Sequence, residues 1–416
     1  MSRVGWKLSL AVVATILIGT GCSSSKSTPS ASGSAPSAVG SAPTITIGVL
    51  TDLTGIGASP SVLNGIEAGI GVAGSEGYRI KYVVGDTQSS PSSALTAAQK
   101  LVEEDHVFAV VAISGLTFAA APFLSAHGIP VVGVADDSTE WITSRNMFSV
   151  IGTEDYTKVI TTYGEFFKKV GATRIGTLGF SIAPSAKESA KAAAVSAQTA
   201  GLSAPYVNPD FPFGSTNVGP VAIAMKSAGV DGFTTAVTPN INYLLLTALK
   251  QEGVQLKGAL LPTGYGGDLE SAGDSARQAA QGVYFLTGQE PAEMHTAATE
   301  QMQSAFRKYT DVTGDPTFSE YWGYESIDGV VTGLKAAGAN ASRQSFINAM
   351  QSIRSYNPGG LYGNQAVGFA MDQRGKAAGV NNCFWITQYV GNTFHLVPGM
   401  DPLCGSIIPD KSVSAS

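Results

Sequence analysis

Charge is scarce in this sequence. Of 416 residues only 13% are Asp, Glu, Lys or Arg, and 25 Lys and Arg face 31 Asp and Glu, a net charge of −6. No long basic run and no basic stretch interleaved with aromatics occurs, so nucleic acid is not expected as a partner. The four histidines, at positions 106, 127, 295 and 395, are scattered without metal-ligand spacing. His127 precedes Gly128 and an apolar run, and reads as a histidine at a helix end rather than a base. There is no G-x-S-x-G nucleophile turn and no G-x-x-x-x-G-K-[ST] phosphate loop; GYGGDLESAG is rich in glycine but lacks the lysine. A secreted hydrolase is therefore weakly supported; no catalytic activity, cofactor or metal is expected. Long apolar runs are missing as well. Beyond the N-terminal twenty or so residues, no segment reads as long and apolar enough to span a membrane.

Apolar residues, at 44%, supply enough material for two domains with real cores. The chain begins with Arg3 and Lys7, followed by an apolar run from Leu8 to Ile18 and the small residues Gly19, Thr20 and Gly21. That pattern is a secretory signal peptide, residues 1–21. Cys22 follows at once and resembles the cysteine of a bacterial lipobox, which becomes the acylated mature N-terminus; Gly19 stands where the lipobox has an aliphatic residue. The alternative is an ordinary cleaved signal with an incidental cysteine. Residues 22–43 are nearly all Ser, Ala, Gly and Pro. They cannot bury a core and form a tether that reaches about 25 Å as a random coil. Cysteine is otherwise limited to Cys383 and Cys404. An even pair in an exported protein reads as a disulfide, two free buried thiols being the other possibility.

After Pro43 apolar runs alternate with helical periodicities. TITIGVL, YRIKYVVGD, VFAVVAIS and GIPVVGVA read as strands, with helices over Val62–Val72 and around Leu95, Ala98, Leu101 and Val102. A third helix is expected over Tyr156–Val170, with Val159, Ile160, Tyr163, Phe166, Phe167 and Val170 on one face. RIGTLGF, an Ala-rich helix over Ala186–Ala200, GFTTAVT, a Leu-rich helix over Ile241–Leu249, GALLPTG and QGVYFLTG continue the alternation. A long helix then places Tyr324, Ile327, Val331 and Leu334 inward. Strands alternating with helices imply parallel sheets of right-handed βαβ units, here in two similar α/β lobes.

The order of ITIGVLTDLTG, GDTQSSPSSALTAAQKLVEEDHVFAVVAISG, AHGIPVVGVADDSTEW, NMFSVIGTEDY and, late in the chain, VGFAMDQRGKA resembles the type-I periplasmic binding proteins. The likeness is to the Leu/Ile/Val-binding-protein-like receptors of ABC importers, and it covers roughly Thr44 to Val397. The resemblance implies two doubly wound parallel-sheet lobes joined by a three-crossing hinge near Thr153, Gly288 and Asn364. Residues 44–153 with 289–364 would form one lobe, 154–288 with 365–410 the other, and 411–416 a tail. It further implies a monomer, lipid-anchored through Cys22 outside the cytoplasmic membrane, that delivers a small molecule to a membrane permease. A sensor of the same fold signalling to a membrane partner is the alternative.

Site residues follow from the same resemblance. The loop after the third strand holds the ligand carboxylate in amino-acid binders of the family, which here points to Ser114 and Thr117, with Gly115 and Leu116 as backbone contacts. The turn after the fourth strand, Ala135-Asp136-Asp137-Ser138, carries two acids in place of the family's small residues. They either face the ligand or cap the next helix. In the second lobe SIAPSA, around Ser181–Ser185, lacks the family's aromatic lid, while Val237 and Thr238 match another contact. Gly264, beside Tyr265, stands where the family places the acid that binds the ligand ammonium. Leu, Ile and Val are therefore expected to bind poorly, and a small polar ligand, amino-acid-like or amide-like, is expected against Ser114, Thr117, Asp136, Asp137, Thr238 and Tyr265.

Overall fold

The computed structural model describes residues 44–134 and 138–416. The signal peptide, Cys22 and the tether lie outside the described residues, as do Ala135, Asp136 and Asp137.

Five short strands form the first sheet: β1 (Thr44–Thr51), β2 (Arg79–Asp86), β3 (Ala109–Ile113), β4 (Val131–Gly133) and β5 (Met147–Ser149). All run parallel in the order β2-β1-β3-β4-β5. Helices cover both faces, so β3, AVVAI, is buried at every position. After β6 (Lys158–Ile160) a second sheet begins: β7 (Arg174–Phe180), β8 (Ser203–Phe211), β9 (Gly232–Ala236), β10 (Gly258–Leu261) and β11 (Tyr284–Thr287). These are parallel in the order β8-β7-β9-β10-β11, the winding of the first sheet repeated. The edge strand β8 escapes the sequence reading because its exposure alternates and because it contains Pro205 and Pro209, which only an edge tolerates.

Three further strands lie antiparallel on this sheet. β12 (Cys383–Val390) pairs with β11, β13 (Thr393–Leu396) with β12, and β14 (Leu403–Cys404) with the start of β12. The hairpin between β12 and β13 turns through Gly391 and Asn392, both at positive φ (61° and 71°), which is the backbone a two-residue turn between twisted strands requires. Cys383 and Cys404 stand directly opposite each other in the β12–β14 ladder and form the disulfide.

One expected helix is corrected. Residues 156–170 divide into β6 and a helix, Thr162–Lys169. Val159 and Ile160 are buried not as a helix face but as a strand paired antiparallel with β15 (Ile407–Ser412). The partner comes from the far end of the chain, and no local periodicity reports it.

The chain passes between the sheets three times: from β5 to β6, from β11 to the helix Ala297–Tyr309, and from the helix Arg343–Ser352 to β12. The long helix Phe318–Ala337 returns to the first sheet and buries Tyr324, Ile327, Val331 and Leu334. It lies against the helix Val62–Ser75 at a distance only glycine permits. A Cβ at Gly65 would stand 2.1 Å from the carbonyl oxygen of Glu320, and one at Gly323 2.6 Å from that of Val62. Polar side chains close the same contact at its end: the Ser59 hydroxyl donates to that of Ser319 at 2.7 Å, and the Asn64 amide to the Glu320 carboxylate at 2.7 Å.

Candidate functional site

In each sheet the first and third strands lie side by side while the connections leave in opposite directions. That reversal opens a crevice at the strands' carboxyl ends, where open α/β sheets take their ligands. The two crevices face one cavity of about 320 Å³. Thr51 and Asp52 reach it from β1 and Ile113–Leu116 from β3; Phe180, Ile182 and Ala183 reach it from β7 and Ala236–Thr238 from β9. All three crossings contribute as well, through Ile151 and Glu154, Gly288 and Gln289, and Gly379 and Val380.

Hydrogen bonds fix the polar part of the wall. The carboxylate of Asp86 accepts from the N–H groups of Leu53 (3.0 Å) and Thr54 (3.2 Å) and from the Thr54 hydroxyl (2.6 Å), so the loop after β1 is tied to β2. Asp52 Oδ1 accepts from the Thr87 hydroxyl and, at 2.9 Å, from the Ser114 hydroxyl. Burial raises the Asp52 pKa, and those two donors oppose the rise. Across the cleft, Thr235 donates to Asn242 (2.7 Å), Asn242 to the Thr263 hydroxyl (3.0 Å) and Thr263 to the Val237 carbonyl (2.8 Å), which locks the ends of β9 and β10 together. The rest of the wall is largely apolar and aromatic. Phe180 meets Phe213 edge-on at 5.1 Å, and Tyr163 meets Phe384 at 5.0 Å. Among the described residues no lysine, arginine or histidine lines it.

Glu154, on the first crossing, leans toward the third. A Cβ at Gly379 would come within 2.8 Å of Glu154 Oε1. Burial pushes its pKa up to about 7, a hydrogen bond with Tyr156 pulling the other way; the second phenol near it is Tyr163. A carboxyl with a raised native pKa holds its proton in the folded state after the unfolded state has lost it. Stability therefore falls as pH climbs from the unfolded value near 4.5 to about 7, and levels off above. The full shift corresponds to at most about 3 kcal/mol, and to less because part of the side chain opens on the cavity. Glu154→Gln is expected to flatten this component. Asp268 and Glu293, also raised to about 7 by burial, contribute the same slope to both proteins, so the difference between their melting-temperature profiles from pH 5 to pH 8 isolates Glu154. Parallel profiles would refute the assignment.

Four of the residues singled out in the sequence lie on this wall: Ser114, Gly115, Leu116 and Thr238, together with Val237. Asp136, Asp137 and Ala135 are outside the described residues. Two are off the wall. Thr117 is wholly buried and donates its hydroxyl to the Ser114 carbonyl at 2.8 Å, bracing the loop from behind. Tyr265 is buried in the core against Phe394, donates to Glu293 at 2.6 Å and accepts from the N–H of Ala292 at 3.0 Å. Gly264 also lies off the wall and is held by the Tyr243 hydroxyl, which donates to its carbonyl at 2.8 Å. The site residues missed were Asp52, Glu154 and Gln289. Asp52 stands in TDLTG, directly after a predicted strand, a position that could have marked it, and Glu154 stands in IGTEDY, part of a motif that carries the family resemblance.

Two lobes wound alike, a cavity between their switch points and three crossings behind it define a two-lobed ligand-binding protein. The family model described as periplasmic binding protein matches residues 44–393, and the chain belongs to that family, one of ligand-binding proteins rather than enzymes. No curated protein sequence matches it. Among solved structures it is similar to the leucine-binding protein LivK of Thermotoga maritima, with a TM-score of 0.71 at 15% identity over 86% of this chain and 99% of that one. It is also similar to two ABC-transporter solute-binding proteins of R. palustris. The one in complex with benzoate has a TM-score of 0.71 at 17% identity, covering 89% and 99% of the two chains. The one in complex with 4-hydroxybenzoate has a TM-score of 0.69 at 17% identity, covering 89% and 97%.

Proposed function

We propose that the protein is the extracytoplasmic solute-binding receptor of an ABC importer, held to the outer face of the membrane by lipid on Cys22. The observation that carries this reading is the cavity itself. It is built from both sheets and all three crossings, so a ligand inside touches both lobes at once and favours the closed arrangement by its differential affinity. Residues 44–153 with 289–364 would move as one lobe, and 154–288 with 365–410 as the other. That solved relatives of the same fold include proteins named for leucine or bound to benzoate supports a small organic ligand. A thermal-shift screen of small solutes against the purified protein tests this, because a ligand that binds only the native state raises its melting temperature by mass action. At least one solute should do so, with contraction of the particle in small-angle scattering. Failure of every small solute would remove the proposal.

The anchor makes a separate expectation. Cys22→Ser should shift the protein from the membrane fraction to the soluble fraction or medium, since a doubly acylated cysteine holds firmly where a single chain does not. Continued membrane fractionation of the variant would rule out lipidation at Cys22.

A further inference from the structure

We propose that the cavity takes an organic ammonium, a singly charged amine with a small aromatic or branched aliphatic body and no carboxylate. The inference rests on reading the cleft as the ligand site. It starts from an imbalance of hydrogen-bonding groups on the wall. Asp52 Oδ1 is engaged by Thr87 and Ser114, while Oδ2 has no partner among the described residues. Gln289, on the second crossing, is almost completely buried, and its side-chain oxygen is without a partner. Glu154 adds a second carboxyl, on the first crossing. Two carboxyls thus meet one cavity, with no basic side chain among the described residues to answer them. Acceptors away from bulk water are normally satisfied, and a ligand that brings an N–H donor and positive charge would satisfy Asp52 Oδ2.

The groups that would hold a carboxylate are engaged elsewhere. The Ser114 proton is directed at Asp52, and the Ser114 oxygen accepts from the N–H of Leu116 at 3.1 Å. A ligand carboxylate at Ser114 would have to displace the Asp52 bond and then lie beside a like charge. Helix starts offer partial positive charge of about half a unit each, and four open on the cavity, that of Val62–Ser75 among them. The helix Phe318–Ala337 is closed by its Thr317–Glu320 capping box and by Asp268, which accepts from the Phe318 N–H at 3.2 Å. The helices Pro184–Thr199 and Pro239–Gln251 begin with proline, which removes one N–H from each. Asp52 brings a whole charge and Glu154 part of one, against partial helix charges only, so that with no basic side chain among the described residues on the wall the cavity favours a cation. Its aromatic wall, including Tyr156, Tyr163, Phe180, Phe213, Trp322 and Phe384, suits both the apolar body and the charge, since aromatic faces attract ammonium groups.

An α-amino acid fits only in part. Its ammonium finds Asp52 or Glu154 even though Gly264 lies off the wall, so the obstacle for leucine lies with its carboxylate and not with a missing ammonium partner.

The test is isothermal titration of the purified protein at neutral pH with matched probes. One set is phenethylamine, phenethyl alcohol, hydrocinnamate and phenylalanine; the other is isoamylamine, isoamyl alcohol, isocaproate and leucine. In at least one set the amine should bind at least tenfold tighter than its acid, alcohol and amino acid. Asp52→Asn should weaken that amine at least tenfold and leave the alcohol within about twofold; the wild-type comparison stands alone if the variant does not fold. An acid or amino acid that binds as tightly as its amine, or the failure of both amines, overturns the inference. The receptor reading survives either result as long as any solute in the wider screen binds, so the two fail separately.

Discussion

Gly65→Ala should destabilise the protein by about 3 kcal/mol, the upper end of the usual cost of overpacking. The added methyl would meet a backbone carbonyl, that of Glu320, at 2.1 Å, and a backbone atom cannot rotate away as a side chain can. The helices Val62–Ser75 and Phe318–Ala337 must then separate, opening the contact that also includes Gly69 against Ile327 and Gly323 against Val62. Because Ser59, Val62, Phe318 and Ser319 line the cavity at the start of these helices, ligand affinity should fall along with stability. Gly74→Ala on the same helix is the control. Nothing lies within 4 Å of a Cβ there, and alanine should stabilise by roughly 0.5–1 kcal/mol through helix propensity. Urea denaturation of the three proteins decides the matter. Equal midpoints for Gly65→Ala and wild type would mean that the helices are not held at glycine distance.

Loss of the Cys383–Cys404 bridge should cost nearly as much. The cysteines are 21 residues apart, and closing a loop of that length contributes about 3 kcal/mol in the chain-entropy model. Cys404 is exposed, so a reductant reaches it in the folded protein. The bridge fastens β14 and the chain leading to β15, and β15 in turn pairs with β6 just ahead of the helix that carries Tyr163. Dithiothreitol should therefore lower the melting temperature of the wild type and leave the Cys383→Ala/Cys404→Ala double variant unchanged at its already lower value. Linked peptides should appear in unreduced digests. Wild-type and double-variant proteins that melt together in the absence of reductant would show that the bridge adds no stability.

The elements of this fold are legible from sequence where local pattern dictates them. The strands around TITIGVL and VFAVVAIS, and the face of Tyr324, Ile327, Val331 and Leu334, follow from periodicity because their burial is set by neighbours a few residues away. The even cysteine pair pointed to its bridge for a chemical reason, the oxidising compartment that a signal peptide implies. Val159 and Ile160 show the opposite case. Their apolar spacing suits a helix, yet β15 claims them as a strand, because pairing with a distant segment outweighs a weak local preference.

The candidate site divides along the same line. Ser114, Gly115, Leu116 and Thr238 were named from the family resemblance, and they lie on the cavity wall because each follows a strand whose end faces the crevice. Thr117 follows the wall residue Leu116 and Tyr265 lies two residues past Thr263, but their side chains lie in the core, where the Ser114 carbonyl and Glu293 engage them. The sequence by itself determined that two α/β lobes would form and where their loops would fall, since hydrophobic period and turn chemistry are local quantities. Only the tertiary structure decided that Asp52, Glu154 and Gln289, from three distant segments, would share one cavity without a basic partner among the described residues. The charge balance of a cleft is a property of what folding brings together, and no stretch of the chain carries it alone.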